Sequence, residues 1–221
     1  MIARVLVFAA VMLIATPAHA QLSNGTSGYS SAPRPGVDAE YWRFLDQIGP
    51  CLANQKPDEA VAFVDAVIDS EQEGAAFDVL FNVGENRRNN CAGRYAGVYG
   101  AQRSHIRASV AEGLFENLED AVVEQFIANP PAAPETIGTL HDFARCYVVA
   151  NPADARELLR RTDVATRGEL EFIQEIAADF GPCMPEGREV TLRPTPVRMA
   201  IAEAAWRAAT GRPAATIQGR N

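Results

Sequence analysis

The chain has almost no lysine. Lys56 stands alone among 20 basic residues, the rest being arginine, and 28 acidic residues outnumber them. Nucleic acids and anionic membrane surfaces select clustered positive charge, so this balance argues against both as partners. Histidine is scarce: beyond residue 20 there are only His105 and His141. His141 and Asp142 are sequence neighbours, so their side chains diverge on a helix instead of meeting. No H-E-x-x-H, G-x-S-x-G, P-loop or G-x-G-x-x-G occurs, which removes the local signatures of zinc proteases, serine hydrolases and nucleotide-binding proteins. The four cysteines form no C-x2-C pair. That argues against structural zinc and against dithiol redox catalysis. No cofactor is implied. No alternating apolar–polar pattern marks a β-strand, although Thr191–Arg193 could form a short extended piece.

What is present begins with Met1–Ala20. A single positive charge at Arg4 precedes the unbroken apolar run Val5–Ala15; Pro17 and Ala18-His19-Ala20 follow. These are the three parts of a secretory signal peptide, with cleavage expected after Ala20. The competing reading is a membrane anchor. Eleven residues rise only about 16 Å as a helix, against a hydrocarbon core of about 30 Å. No later run is apolar enough to span a bilayer, and residue 21 is glutamine, not the cysteine of a lipoprotein. The expectation is a soluble protein exported to the periplasm or medium. Without the signal the chain has 19 basic and 28 acidic residues, a net charge of −9. Residues 21–37 are rich in Ser, Gly and Pro and predict a flexible leader. They include one sequon, Asn24-Gly25-Thr26, relevant only in a host that glycosylates.

The remainder says the same thing twice. Cys51–Ala60 reads CLANQKPDEA and Cys146–Ala155 reads CYVVANPADA. Each proline sits where a helix should start, at a position whose N–H is not needed. Helically spaced apolar residues follow: Ala60, Phe63, Val64 and Val67 in one copy, Ala155, Leu158 and Leu159 in the other. Ser70–Glu73 and Thr166–Glu169 then predict capping boxes, the glutamate reaching back to the cap N–H. A loop with the second cysteine comes next, then R-x-x-[VI]-A-E-x-x-[FW]: RASVAEGLF over 107–115 and RMAIAEAAW over 198–206. Upstream of each first cysteine lies one more helical pattern: Trp42, Leu45, Ile48 and Leu52, or Ile137, Leu140, Phe143 and Tyr147. Gly49-Pro50 should kink or end the first of these.

The same landmarks in the same order predict an all-α fold: a tandem duplication of a roughly four-helix unit, over 38–129 and 134–210, with a disordered tail over 211–221. The unit is far longer than a tetratricopeptide repeat, and that consensus is absent. Four cysteines allow three pairings. The repeat selects Cys51–Cys91 and Cys146–Cys183, one staple per unit, over free thiols or a metal site.

Glu112 and Glu203 are the acidic residues at matching points of the repeated motif. As chemistry, they could form an acid–base pair or a site shared between units. As structure, each would bond an arginine or a helix N-terminus. Arg107 and Arg198 recur five positions earlier, about 140° around the helix, so neither should pair with the glutamate of its own helix. Arg87-Arg88 and the Tyr95–Tyr99 stretch RYAGVYG have no parallel in the second copy. Divergence on a shared scaffold marks a candidate contact surface. The functional expectation is a non-enzymatic binding or scaffold module whose partner is an envelope protein or polymer. The alternative is a hydrolase using carboxylates such as Glu112, Glu203 or Asp142 between the units.

Overall fold

Two prolines open helices where the sequence places them. A computed structural model describes residues 39–82, 91, 102–185, 187 and 190–219. The expected signal peptide and leader, and Arg87, Arg88, Tyr95 and Tyr99, lie outside the described residues. Within them the chain is helical: α1 (Ala39–Gln55), α2 (Pro57–Asp65), α3 (Glu71–Phe81), α4 (Arg103–Glu116), α5 (Asp120–Ala128), α6 (Leu140–Ala150), α7 (Pro152–Arg161), α8 (Arg167–Ile176) and α9 (Pro194–Ala209), with a 3₁₀ segment over Ala177–Cys183. A lone parallel bridge, Ile68 to Ile217, is the extended pairing described. No described helix is long and apolar enough to cross a membrane.

The caps explain the boundaries. Pro57 and Pro152 occupy the first turns of α2 and α7. Ser70 Oγ accepts from Glu73 N at 3.1 Å, and Thr166 Oγ1 from Glu169 N at 3.3 Å. The return bonds differ from expectation by one residue. Glu73 accepts from Asp69 N and Glu169 from Ala165 N, each just before the cap. Asp69 and Ala165 both sit at positive φ, 64° and 56°, which turns their N–H groups toward the glutamates. Lys56, the sole lysine, closes α3 by donating to Val79 O, Leu80 O and Asn82 Oδ1.

At the centre α4 lies against α9; α1 covers α4 and α6 covers α9. On the flanks α2 touches α3 and α4, just as α7 touches α8 and α9. One continuous apolar core runs through all of these helices. Leu45, Ile48 and Leu52 of α1 and Phe143 and Tyr147 of α6 are fully buried in it. Each such side chain contributes about 1.5–3 kcal/mol by leaving water. Helix α9 is buried from Pro196 to Ala208, and the small Ala111 and Ala202 are both fully buried near the crossing.

Helix α1 does not end at Gly49-Pro50; it continues to Gln55. Ser109 of α4 explains how. Its Oγ accepts from Gly49 N at 3.0 Å and donates to Leu45 O. Those two backbone groups lie one helical turn apart. The hydroxyl thus bridges the ladder one residue before the proline and gives both groups a partner on α4. This requires backbone-to-backbone approach. A Cβ at Gly49 would fall 1.9 Å from Ser109 O, and one at Gly113 2.6 Å from the Pro50 backbone.

The cysteines pair as Cys51–Cys91 and Cys146–Cys183, with Cα atoms 5.7 and 5.6 Å apart. Helix α5 starts without a side-chain cap. It packs on α9 and α7, with Arg156 to Glu124 at 2.6 Å and Arg160 to Asp120 at 3.1 Å on its exposed side. Residues 211–219, where the sequence predicts a disordered tail, return across α2. Ile68 N donates to Thr216 O at 2.8 Å, and Arg212 bonds Asp65.

Candidate functional site: crossed arginine–glutamate pairs

The repeated motif places one arginine and one glutamate on each central helix. They pair across the crossing, not along the helix. Arg107 of α4 grips Glu203 of α9, with Nε 3.1 and 3.2 Å from the two carboxylate oxygens and Nη2 2.9 Å from Oε1. Arg198 of α9 grips Glu112 of α4 through Nε at 3.3 Å and through Nη2. Both guanidiniums are buried. Their remaining N–H groups cap the helices that the prolines open. Arg107 donates to Phe63 O at 3.0 Å, to Val64 O, and to Ala66 O at 2.9 Å, at the end of α2. Arg198 donates to Leu158 O at 2.9 Å and Thr162 O at 2.6 Å, at the end of α7. Helix ends leave such carbonyls without partners and carry partial negative charge. Each arginine therefore ties three elements together.

The surroundings of the two glutamates differ. Arg207 adds a bond to Glu203 Oε1 at 3.1 Å, and His141 Nδ1 lies 4.0 Å from Oε2. Burial pushes the Glu203 carboxyl up, but Arg107, His141 and Arg207 outweigh it and hold it at about 2. Glu112 faces one bonded cation and several acids. Burial raises it, Arg198 opposes, and Asp46 and Asp163 raise it further. Burial and Asp163 likewise raise Asp46, against the Val164 N–H and Arg198. Glu116, exposed at the rim, is pushed by partial burial and the Glu112 charge up to about 7.

Glu169 completes this group. Burial lifts it to about 7 against Arg198, a Thr195 hydroxyl bond and the Ala165 N–H. Its Oε1 is buried without a hydrogen-bond partner. The matching Glu73 is held by Arg107 Nη1 at 3.0 Å and by Arg103 at 3.6 Å. Arg198 instead sends Nη1 to Thr162 Oγ1, which strands Glu169 Oε1.

Asp46, Glu112 and Glu116 line one cleft with Leu45, Pro50, Ser109, Val164 and Met199, where residues of both motif copies meet. Its cavity is about 30 Å³, room for roughly two waters. A second hollow of about 10 Å³ lies beside His141, Arg145, Glu203 and Arg207. Among the described residues no group of three or more His, Cys, Asp and Glu is placed to hold a metal ion. The other histidine, His105, is buried, with Nδ1 2.6 Å from the Tyr41 hydroxyl. Asp142 is engaged in capping α6, accepting from Thr139 N at 2.9 Å and Gly138 N at 3.1 Å.

The structure thus gathers Glu112 and Glu203 at one crossing, each bonded to an arginine. Sequence reasoning missed Asp46, Glu116, Asp163 and Glu169 as their neighbours. Only Glu169 carried a signal, as the last residue of a capping box. No protein family, curated protein or solved structure matches this chain.

Proposed function

We infer that this chain is an exported, non-enzymatic helical module, a tandem duplication stapled once per unit, that binds an envelope protein or polymer through its outer surface. The observation that carries this reading is the use made of the repeated charges. Arg107, Arg198, Glu112 and Glu203 all serve to clamp helices, so the features common to both halves support a scaffold. The duplication itself is supported by matched details that sequence periodicity does not require: the positive-φ residues Asp69 and Ala165 and the arginine caps on α2 and α7. Export is supported by the signal-peptide pattern of Met1–Ala20 and by two disulfides with no free cysteine among the described residues.

The test is in-cell crosslinking of the full-length protein, affinity capture and mass spectrometry, with Tyr95→Ala, Tyr99→Ala and Arg87→Ala/Arg88→Ala alongside wild type. The expected result is one stoichiometric envelope partner whose capture falls in at least one variant. Capture no better than background from wild type contradicts the reading.

A second reading, a carboxylate-dependent hydrolase, draws on the cleft of Asp46, Glu112 and Glu116, where all three carboxyls are raised and Glu116, at about 7, suits general acid–base work. Against it stands a cavity with room for about two waters. Hydrolysis of an envelope polymer that is lost in Glu116→Gln, with an unchanged unfolding curve, would favour this reading over the first.

A further inference from the structure

The two crossed pairs are built alike, yet their surroundings are unbalanced in opposite senses. Glu203 sits among Arg107, Arg207 and His141. Around Arg198 the excess is acidic and comes from four separate parts of the chain. Asp46 belongs to α1, Glu112 and Glu116 to α4, Asp163 follows α7, and Glu169 belongs to α8; Arg160 of α7 adds a second cation. Asp46, Glu112 and Glu116 line the cleft between α1, α4 and α9, while Glu169 lies buried beside it at the junction of α8 with the start of α9.

We propose that the Arg198 cluster is a pH-sensitive latch centred on Glu169: Glu169 and Glu116 hold protons in mildly acidic surroundings and shed them toward alkaline pH, where the buried charge on Glu169 and its repulsion by the neighbouring acids loosen α8 from the start of α9. Glu169 is the centre of the latch. A protonated carboxyl at Oε1 leaves no buried charge unpaired. An ionised one sits fully buried with no donor on that oxygen, an arrangement that costs far more than its neutral form. Glu73, in the matching place, has two arginines and escapes this cost.

The direction follows from linkage. A carboxyl raised in the folded state binds its proton more tightly there than in the unfolded chain. Its ionisation therefore weakens folding as pH rises from about 4.5, and the full loss is reached above about 7. For Glu169 alone, the unfolding constant should rise about 30-fold between pH 5.5 and 8. Glu203 does not obscure this window, since its contribution is lost only as pH falls from 4.5 toward 2. His141, an imidazole that faces Glu203, needs its own control.

The experiment is urea unfolding of the full chain, disulfides intact, at pH 5.5 and 8.0, for wild type, Glu169→Gln, Glu116→Gln and His141→Gln. Hydrogen exchange on α8 and α9 accompanies it, with intrinsic exchange rates corrected for pH. The expected result is a wild-type unfolding constant at least about tenfold larger at pH 8, with α8 and the start of α9 losing protection there. Glu169→Gln should remove most of that increment while His141→Gln keeps it. Equal wild-type stability at both pH values overturns the proposal. So does a pH response that survives Glu169→Gln and vanishes in His141→Gln. Should Glu169→Gln fail to fold, the rim variant Glu116→Gln decides: the proposal requires it to reduce the pH-8 loss of protection.

Discussion

Replacing Glu203 by glutamine should be the most damaging of the isosteric changes at the crossing. The carboxyl, held at about 2 instead of 4.5, contributes about 3 kcal/mol at neutral pH by linkage. Breaking a buried ion pair from one side costs about 3–5 kcal/mol by a separate route. The amide oxygen introduced by the substitution keeps one acceptor for Arg107, so the lower end applies. A carboxyl with a depressed folded pKa stabilises fully above its unfolded value and loses that contribution as pH falls through the folded one. The deficit of Glu203→Gln should therefore be about 3 kcal/mol at pH 7 and shrink toward pH 2. Glu112→Gln is the internal control. Its carboxyl is raised, and Arg198 keeps Leu158 O, Thr162 O and the neighbouring acids. That change should cost no more than about 1 kcal/mol at pH 7. The assay is urea unfolding followed by fluorescence of the buried Trp206, with disulfides intact. Equal costs for the two glutamates, or a Glu203→Gln deficit that ignores pH, would refute this account.

Two further outcomes follow from packing and covalent chemistry. Gly49→Ala or Gly113→Ala must push α1 and α4 apart, because the added methyl meets backbone; a loss of about 3 kcal/mol or more is expected in the same assay, and a neutral effect would mean the helices are not in contact. Cys146 and Cys183 are buried, whereas Cys51 and Cys91 are each half-exposed. Graded dithiothreitol with mass mapping should show Cys51–Cys91 opening first, and Ser replacement of either pair should lower stability by about 4 kcal/mol on loop-closure grounds.

Local chemistry was the legible part of this molecule. Pro57, Pro152, Ser70 and Thr166 mark helix starts because each satisfies or removes a backbone donor within a few residues. The separation of Arg107 from Glu112 around the helix, about 140°, was enough to say that they do not pair within α4. It could not say that Arg107 reaches Glu203, because that depends on the angle and register at which α4 meets α9. Pro50 misled for a related reason. Its effect on α1 is absorbed by Ser109, far along the chain on α4, and nothing near Gly49 announces that hydroxyl. Helix α5 was missed because Glu119 makes no side-chain cap. The acids around Arg198 look like ordinary surface charges in sequence and become a group only when their separate elements converge.

The crossed pairs have one more consequence. Exchanging the roles of α4 and α9 maps Arg107–Glu203 onto Arg198–Glu112, which is the relation that holds across a twofold axis between identical subunits. In a homodimer, one codon would set both glutamates, and any change would strike the interface twice. With both helices in a single polypeptide, each codon is free. One glutamate can gather two arginines and a histidine while its counterpart gathers acids, and neither choice constrains the other.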